Sequence, residues 1–104
     1  MKRNTFGALS PAKQGIVRRM QLIGFGKICD LPVVEGEPVL EQARIVRRQK
    51  LSRRPEPPAY DRDFELKMEH GLFFETLQDM RDGEIACLEV QHGLPCLVDI
   101  IEKV

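Results

Sequence analysis

The stretch DLPVVEGEPVL at residues 30–40 returns as CLEVQHGLPCL at residues 87–97. Aligned without a gap, residues 16–40 and 73–97 share eight identities: Gln21/Gln78, Gly26/Gly83, Ile28/Ile85, Leu31/Leu88, Val33/Val90, Gly36/Gly93, Pro38/Pro95 and Leu40/Leu97. Ordinary residue usage would give roughly one or two. Ile16/Phe73, Val17/Phe74, Met20/Leu77 and Ile23/Met80 keep apolar character as well. A short chain that states one pattern twice is constrained to build two similar units around a shared core.

The spacing of Ile16, Val17, Met20 and Ile23 marks one face of a helix, and Phe73, Phe74, Leu77 and Met80 repeat it. Ser10 offers a hydroxyl cap and Pro11 a residue suited to the first helical position, while Gly24 and Gly26 end the first helix. The second helix is expected to start near Asp61 or Asp63 as cap and to run to about Arg81, with Gly71 inside it as a helix-weakening residue.

Each helix is followed by an alternating apolar stretch interrupted by Glu35-Gly36 or His92-Gly93, the signal of a tight hairpin turn. With two-residue turns, Val33 faces Pro38 and Leu31 faces Leu40, while Val90 faces Pro95 and Leu88 faces Leu97. Pro32, Pro38 and Pro95 lack ladder donors, which suits strands at sheet edges. One αββ unit cannot hide its own apolar surface. The expected fold is therefore α+β: two αββ repeats, residues 10–40 and 67–97, form a four-stranded antiparallel sheet with two helices packed on one face. The whole chain, 1–104, reads as a single domain with a basic and Pro-rich connector at 41–61.

Each half, with Gly26-Lys27-Ile28, Val33 and Gly36-Glu37-Pro38 as its signature in the first copy, resembles short uncharacterised bacterial proteins built as a single αββ unit, some of them carried on mobile elements. The resemblance covers about 25 residues of each copy. It implies the fold and transfers no activity or site residue.

Composition excludes several functions. Sixteen basic and sixteen acidic residues cancel, so any electrostatic attraction must come from local clustering. The opening MKRNTFGALSP lacks the apolar run of a signal peptide, and no stretch has the roughly 20 apolar residues of a membrane span. A cytoplasmic protein without a membrane partner is expected, its three cysteines reduced.

Local charge clusters in the connector. Arg44, Arg47, Arg48, Lys50, Arg53 and Arg54 occur with no acid among them, followed by PEPPAY. If residues 43–51 continue the second strand of the first hairpin, Arg44, Arg48 and Lys50 project to one side with Val46, and Ile45, Arg47, Gln49 and Leu51 to the other. Such a row can follow a nucleic-acid phosphate backbone, bind an acidic protein, guard a sheet edge, or pair with the acidic second helix. With one tyrosine and no tryptophan, base stacking has little support, so nucleic-acid binding would act through phosphates and shape.

Candidate chemistry is sparse. Cys87, His92 and Cys96 have a spacing that could suggest zinc, but a structural site needs four ligands. Alternation places Cys29 with buried Leu31 and Val33, and no base is placed near it, so no catalytic residue, metal or cofactor is expected. The expected function is a small non-enzymatic interaction module, self-associating as a dimer through a second sheet face bearing Ile85, Cys87, Val98 and Ile100. The alternative is phosphate-backbone binding through residues 44–54.

Overall fold

In the computed structural model, which describes residues 5–49, 51 and 64–102, the first helix (α1) spans Pro11–Ile23. Ser10 Oγ accepts the Lys13 amide hydrogen at 3.3 Å and donates to Glu37 Oε2 at 2.8 Å, so one hydroxyl caps the helix and ties it to the first hairpin. That hairpin joins β1 (Gly26–Val34) to β2 (Glu37–Pro38). Its turn residues Glu35 (φ 52°) and Gly36 (φ 76°) both have positive φ, as a type I′ turn requires. Val33 pairs with Pro38 as the sequence predicts.

The second half repeats the order. After a short strand β3 (Arg44–Arg47), helix α2 is Met68–Met80, β4 is Gly83–Gln91 and β5 is Leu94–Ile101. His92 (φ 53°) and Gly93 (φ 73°) make the second type I′ turn, and Val90 pairs with Pro95. The architecture is α+β, two helices with one curled antiparallel sheet ordered β2-β1-β4-β5. The central strands pair Ile28 with Leu88, Cys29 with Cys87 and Leu31 with Ile85.

Both helices and both central strands feed one buried cluster. Ile16, Val17 and Met20 from α1, Leu77 from α2, and Ile28, Leu31, Ile85 and Leu88 from the sheet are fully enclosed. Burying a side chain of this size contributes about 1.5–3 kcal/mol. Phe6, stacked on Phe64 at 5.1 Å, extends the cluster towards the N-terminus. The Arg18 guanidinium covers Phe6 at 4.1 Å.

The helix ends lock the halves together reciprocally. Gly24 (φ 69°, ψ −64°) and Arg81 (φ 59°, ψ −63°) each sit at the centre of a γ-turn of positive φ. The closing bonds, Phe25 N–H to Ile23 O and Asp82 N–H to Met80 O, are both 2.7 Å. The carbonyl of each central residue then accepts from the hairpin of the other half: Gly93 N–H to Gly24 O at 2.9 Å, and Gly36 N–H to Arg81 O at 2.7 Å.

Several sequence expectations need correction. The described residues of the stretch 43–51 do not prolong β2, which stops at Pro38. Val39 N–H bonds back to Pro32 O at 2.9 Å, and the chain turns through a short 3-10 helix, Leu40–Gln42, before β3 pairs with the start of β1. The sheet thus gains a fifth strand, and Leu40 packs on the core from the turn instead of facing Leu31. Pro32 lies on a central strand, in the stretch of β1 between its β2 and β3 pairings.

Leu88 faces Val98 and not Leu97, because Cys96 is an extra residue between the Val90–Pro95 and Glu89–Leu97 pairs. A second irregularity, at Ala86, reverses the alternation of β4, so Ile85 is buried in the core and not on the outer face. Asp30, at φ 56°, does the same for β1. Helix α2 starts at Met68, whereas Asp61 and Asp63 fall outside the described residues. Lys67 has no side-chain acceptor to offer as cap; instead His70 Nδ1 accepts the Lys67 amide hydrogen at 3.0 Å, as Glu or Gln does three residues into a helix.

Candidate functional site

Antiparallel register aligns side chains in rows across the sheet. On the side away from the core, one row reads Arg44, Cys29, Cys87, Asp99 and the next Val46, Lys27, Glu89, Leu97. A depression of about 420 Å³ opens over these rows, lined among others by Lys27, Cys29, Arg44, Arg48, Cys87 and Glu89.

Of the basic residues singled out in the sequence, Lys50, Arg53 and Arg54 lie outside the described residues. Arg44 and Arg48 line the depression together. Arg47 belongs to the opposite side of β3 by alternation, and its guanidinium donates to Gln49 Oε1 at 2.9 Å. Arg44 Nε lies 3.4 Å from Asp30 Oδ2; both groups are exposed, so the pair contributes under about 1 kcal/mol. The strand that β3 joins is β1, and among the described residues the ion pair of Arg44 is with Asp30 of that strand.

Lys27 joins the basic cluster unannounced by the sequence. Its alternation with Cys29 acquires meaning only because β3 folds back beside it. The other unforeseen feature is a thiol pair: Cys29 Sγ and Cys87 Sγ approach to 3.1 Å. The hydrogen bond with Cys87 and then burial push the Cys29 thiol above its ordinary value, while the Arg44 charge pulls the other way.

The remaining polar candidates are dispersed. His92 stands edge-on to Phe25 at 4.8 Å. Cys87 faces Cys29, and Cys96 is exposed on β5. Among the described residues no group of three or more His, Cys, Asp or Glu is placed to hold a metal ion. His70 is buried, with Nε2 unpartnered among the described residues and Nδ1 accepting from Lys67. Burial holds its pKa below the usual imidazole range, against the opposing pull of Glu69.

The two edges of the sheet differ. One is broken into β2 and β3 and carries Arg44, Arg47 and Arg48. The other is β5, eight residues long with Asp99 its single charge; Leu97 is 56% exposed, Ile100 38% and Ile101 50%. Among the described residues no helix is long and apolar enough to cross a membrane. Comparison of the chain with family models, curated proteins and solved structures gives no match.

Proposed function

We propose that the protein is a non-enzymatic interaction module that self-associates by pairing the β5 edge of one copy with that of another. The observation that carries this reading is the β5 edge itself: long, largely apolar and free of lysine and arginine, with Pro95 and the extra residue Cys96 confined to its first three positions and the stretch from Leu97 to Ile101 left for a second strand. Such an edge is a template for another strand, and proteins that keep theirs single normally break or charge it, as the opposite edge of this sheet is broken and charged. Antiparallel β5 pairing is isologous, so it needs no partner beyond a second copy and closes as a dimer. The dimer face expected from the sequence thus moves from the outer sheet surface to the edge.

The same reading takes the halves, residues 10–40 and 67–97, as copies of one αββ unit with both helices on one side of the sheet. The matched positions support it: Gly36 and Gly93 dock on the helix ends of the opposite half, where Gln78 and Gln21 are their nearest neighbours.

Sedimentation velocity over a micromolar concentration series tests the reading. Wild type is expected to sediment as a dimer and Leu97→Lys as a monomer with unchanged circular dichroism. A wild type that remains monomeric throughout ends it.

A second reading, phosphate-backbone binding, draws on the three cations Lys27, Arg44 and Arg48 around one depression. It predicts salt-sensitive fluorescence anisotropy of labelled oligonucleotides, irrespective of sequence. Arg44→Ala with Arg48→Ala should weaken it more than Arg47→Ala.

A further inference from the structure

We propose that Cys29 and Cys87 are a redox-active thiol pair that closes to an intramolecular disulfide in exchange with a small-molecule disulfide of the glutathione class. The ordinary role of a buried cysteine is that of a small hydrophobe packed among apolar side chains. Here Cys29 is buried and Cys87 half-buried, neither packs in the apolar cluster between helices and sheet, and both line the depression on the other side of the sheet.

Geometry favours the bond. Cys29 and Cys87 are directly opposed in the β1–β4 ladder, with their sulfurs 3.1 Å apart. Directly opposed residues hold their Cβ atoms about 4.5–5.5 Å apart and a disulfide draws them to about 3.5–4.5 Å. The sulfurs have about 1 Å still to close. Both strands are irregular at the adjacent residue, Asp30 in β1 and Ala86 in β4, so the ladder departs from regular pleating where the approach must occur.

Charge favours the oxidant. Lys27, Arg44 and Arg48 line the depression against one carboxylate, Glu89, which leaves a cationic excess, and oxidised glutathione carries several carboxylates. Cys87 is the more accessible thiol and Cys29 is buried, which sets the order of events. The Cys87 thiolate attacks one sulfur of the small disulfide, forming a mixed disulfide and expelling the first glutathione thiolate. Cys29 then gives up its proton and attacks Cys87 Sγ; the Cys29–Cys87 bond forms, the mixed disulfide breaks, and the second glutathione thiolate leaves. Two protein thiols lose two electrons, one small disulfide gains them, and the released protons go to the leaving thiolates.

The experiment uses the full chain carrying Cys96→Ser, since Cys96 is exposed and would form adducts of its own. After reduction and desalting, the protein is treated with oxidised glutathione, denatured, alkylated and weighed intact. The expected result is a loss of two hydrogen masses, no alkylation, and full reversal by dithiothreitol. Adding Cys29→Ser is expected to trap one glutathione on Cys87. Retention of both free thiols, persistent glutathione on a chain that has both cysteines, or a disulfide between two chains would overturn the proposal.

Discussion

The two helix-hairpin halves place the same backbone elements at the same stations and then dress them differently. At the helix ends the first half has Gly24 and the second Arg81, with nearly the same φ and ψ. One residue further on, Phe25 holds the opposite hairpin through the ring of His92, whereas Asp82 accepts the Glu35 amide hydrogen at 3.0 Å. Beyond the hairpins they part altogether: the first half shortens its outer strand to two residues and adds β3, while the second extends β5 to eight. Backbone junctions are the shared part, and the edges are where each half becomes specific. One edge is closed and cationic, the other open and apolar.

The strongest way to break this equivalence is in the core. Leu31→Ala and Leu88→Ala empty matched, fully buried sites, and each is expected to lower unfolding free energy by about 3 kcal/mol. Urea melts at one fixed protein concentration check this, because self-association would otherwise shift the midpoints. Costs that differ by more than about 2 kcal/mol would show that one half carries the core alone.

Gly26 and Gly83 separate the halves where their edges differ. A methyl group on Gly26 would run into the Val46 carbonyl and come within 3.0 Å of Arg47 Cα, both in β3, whereas at Gly83 it would meet only the flexible tip of Met80 at 3.2 Å. Gly26→Ala is expected to cost about 2 kcal/mol, or to detach β3, and Gly83→Ala under about 1 kcal/mol. Urea melts and hydrogen exchange at Ile45 and Val46 read the two outcomes.

Arg81→Gly should bring the halves closer together. Relieving a positive φ at a residue with a side chain is expected to stabilise by about 1 kcal/mol, and Gly24→Ala to destabilise by a similar amount. Thermal melts of both variants test the pair.

The smallest effect concerns His70, whose counterpart by position is Lys13 and which the first half therefore lacks. Its folded pKa is depressed by burial, so the neutral ring favours the folded state. The unfolded chain binds the proton more readily, and stability should be intact above the unfolded value of about 6.5 and decline as pH falls below it. In His70→Gln, which keeps an acceptor for Lys67, the decline in urea midpoint below that pH should flatten.

The parts legible in the sequence were those set by local chemistry. Ser10-Pro11 fixed one helix start, and the two glycine turns fixed two hairpin registers, Val33 with Pro38 and Val90 with Pro95. What escaped depended on residues with no local signature. Asp30 adopts a conformation usually left to glycine, and Cys96 adds one residue to β5, so alternation counted from the turns went out of phase beyond them. Helix α2 begins at Met68 behind a lysine N-cap, because a histidine ring does the capping. The cations of β3 were visible as a cluster, but their company with Lys27 and the opposition of Cys29 to Cys87 required strand order, which no stretch of sequence states by itself.

The paired bonds from Gly93 to Gly24 and from Gly36 to Arg81 also bear on how the chain reaches this state. Each hairpin finds its last anchor on the helix of the opposite half, so neither half can finish before the other is in place. Contacts this distant along the chain form only after a large loop has closed, which slows folding and concentrates it into one barrier. Unfolding should accordingly be all-or-none, with the two helix termini releasing in the same kinetic phase.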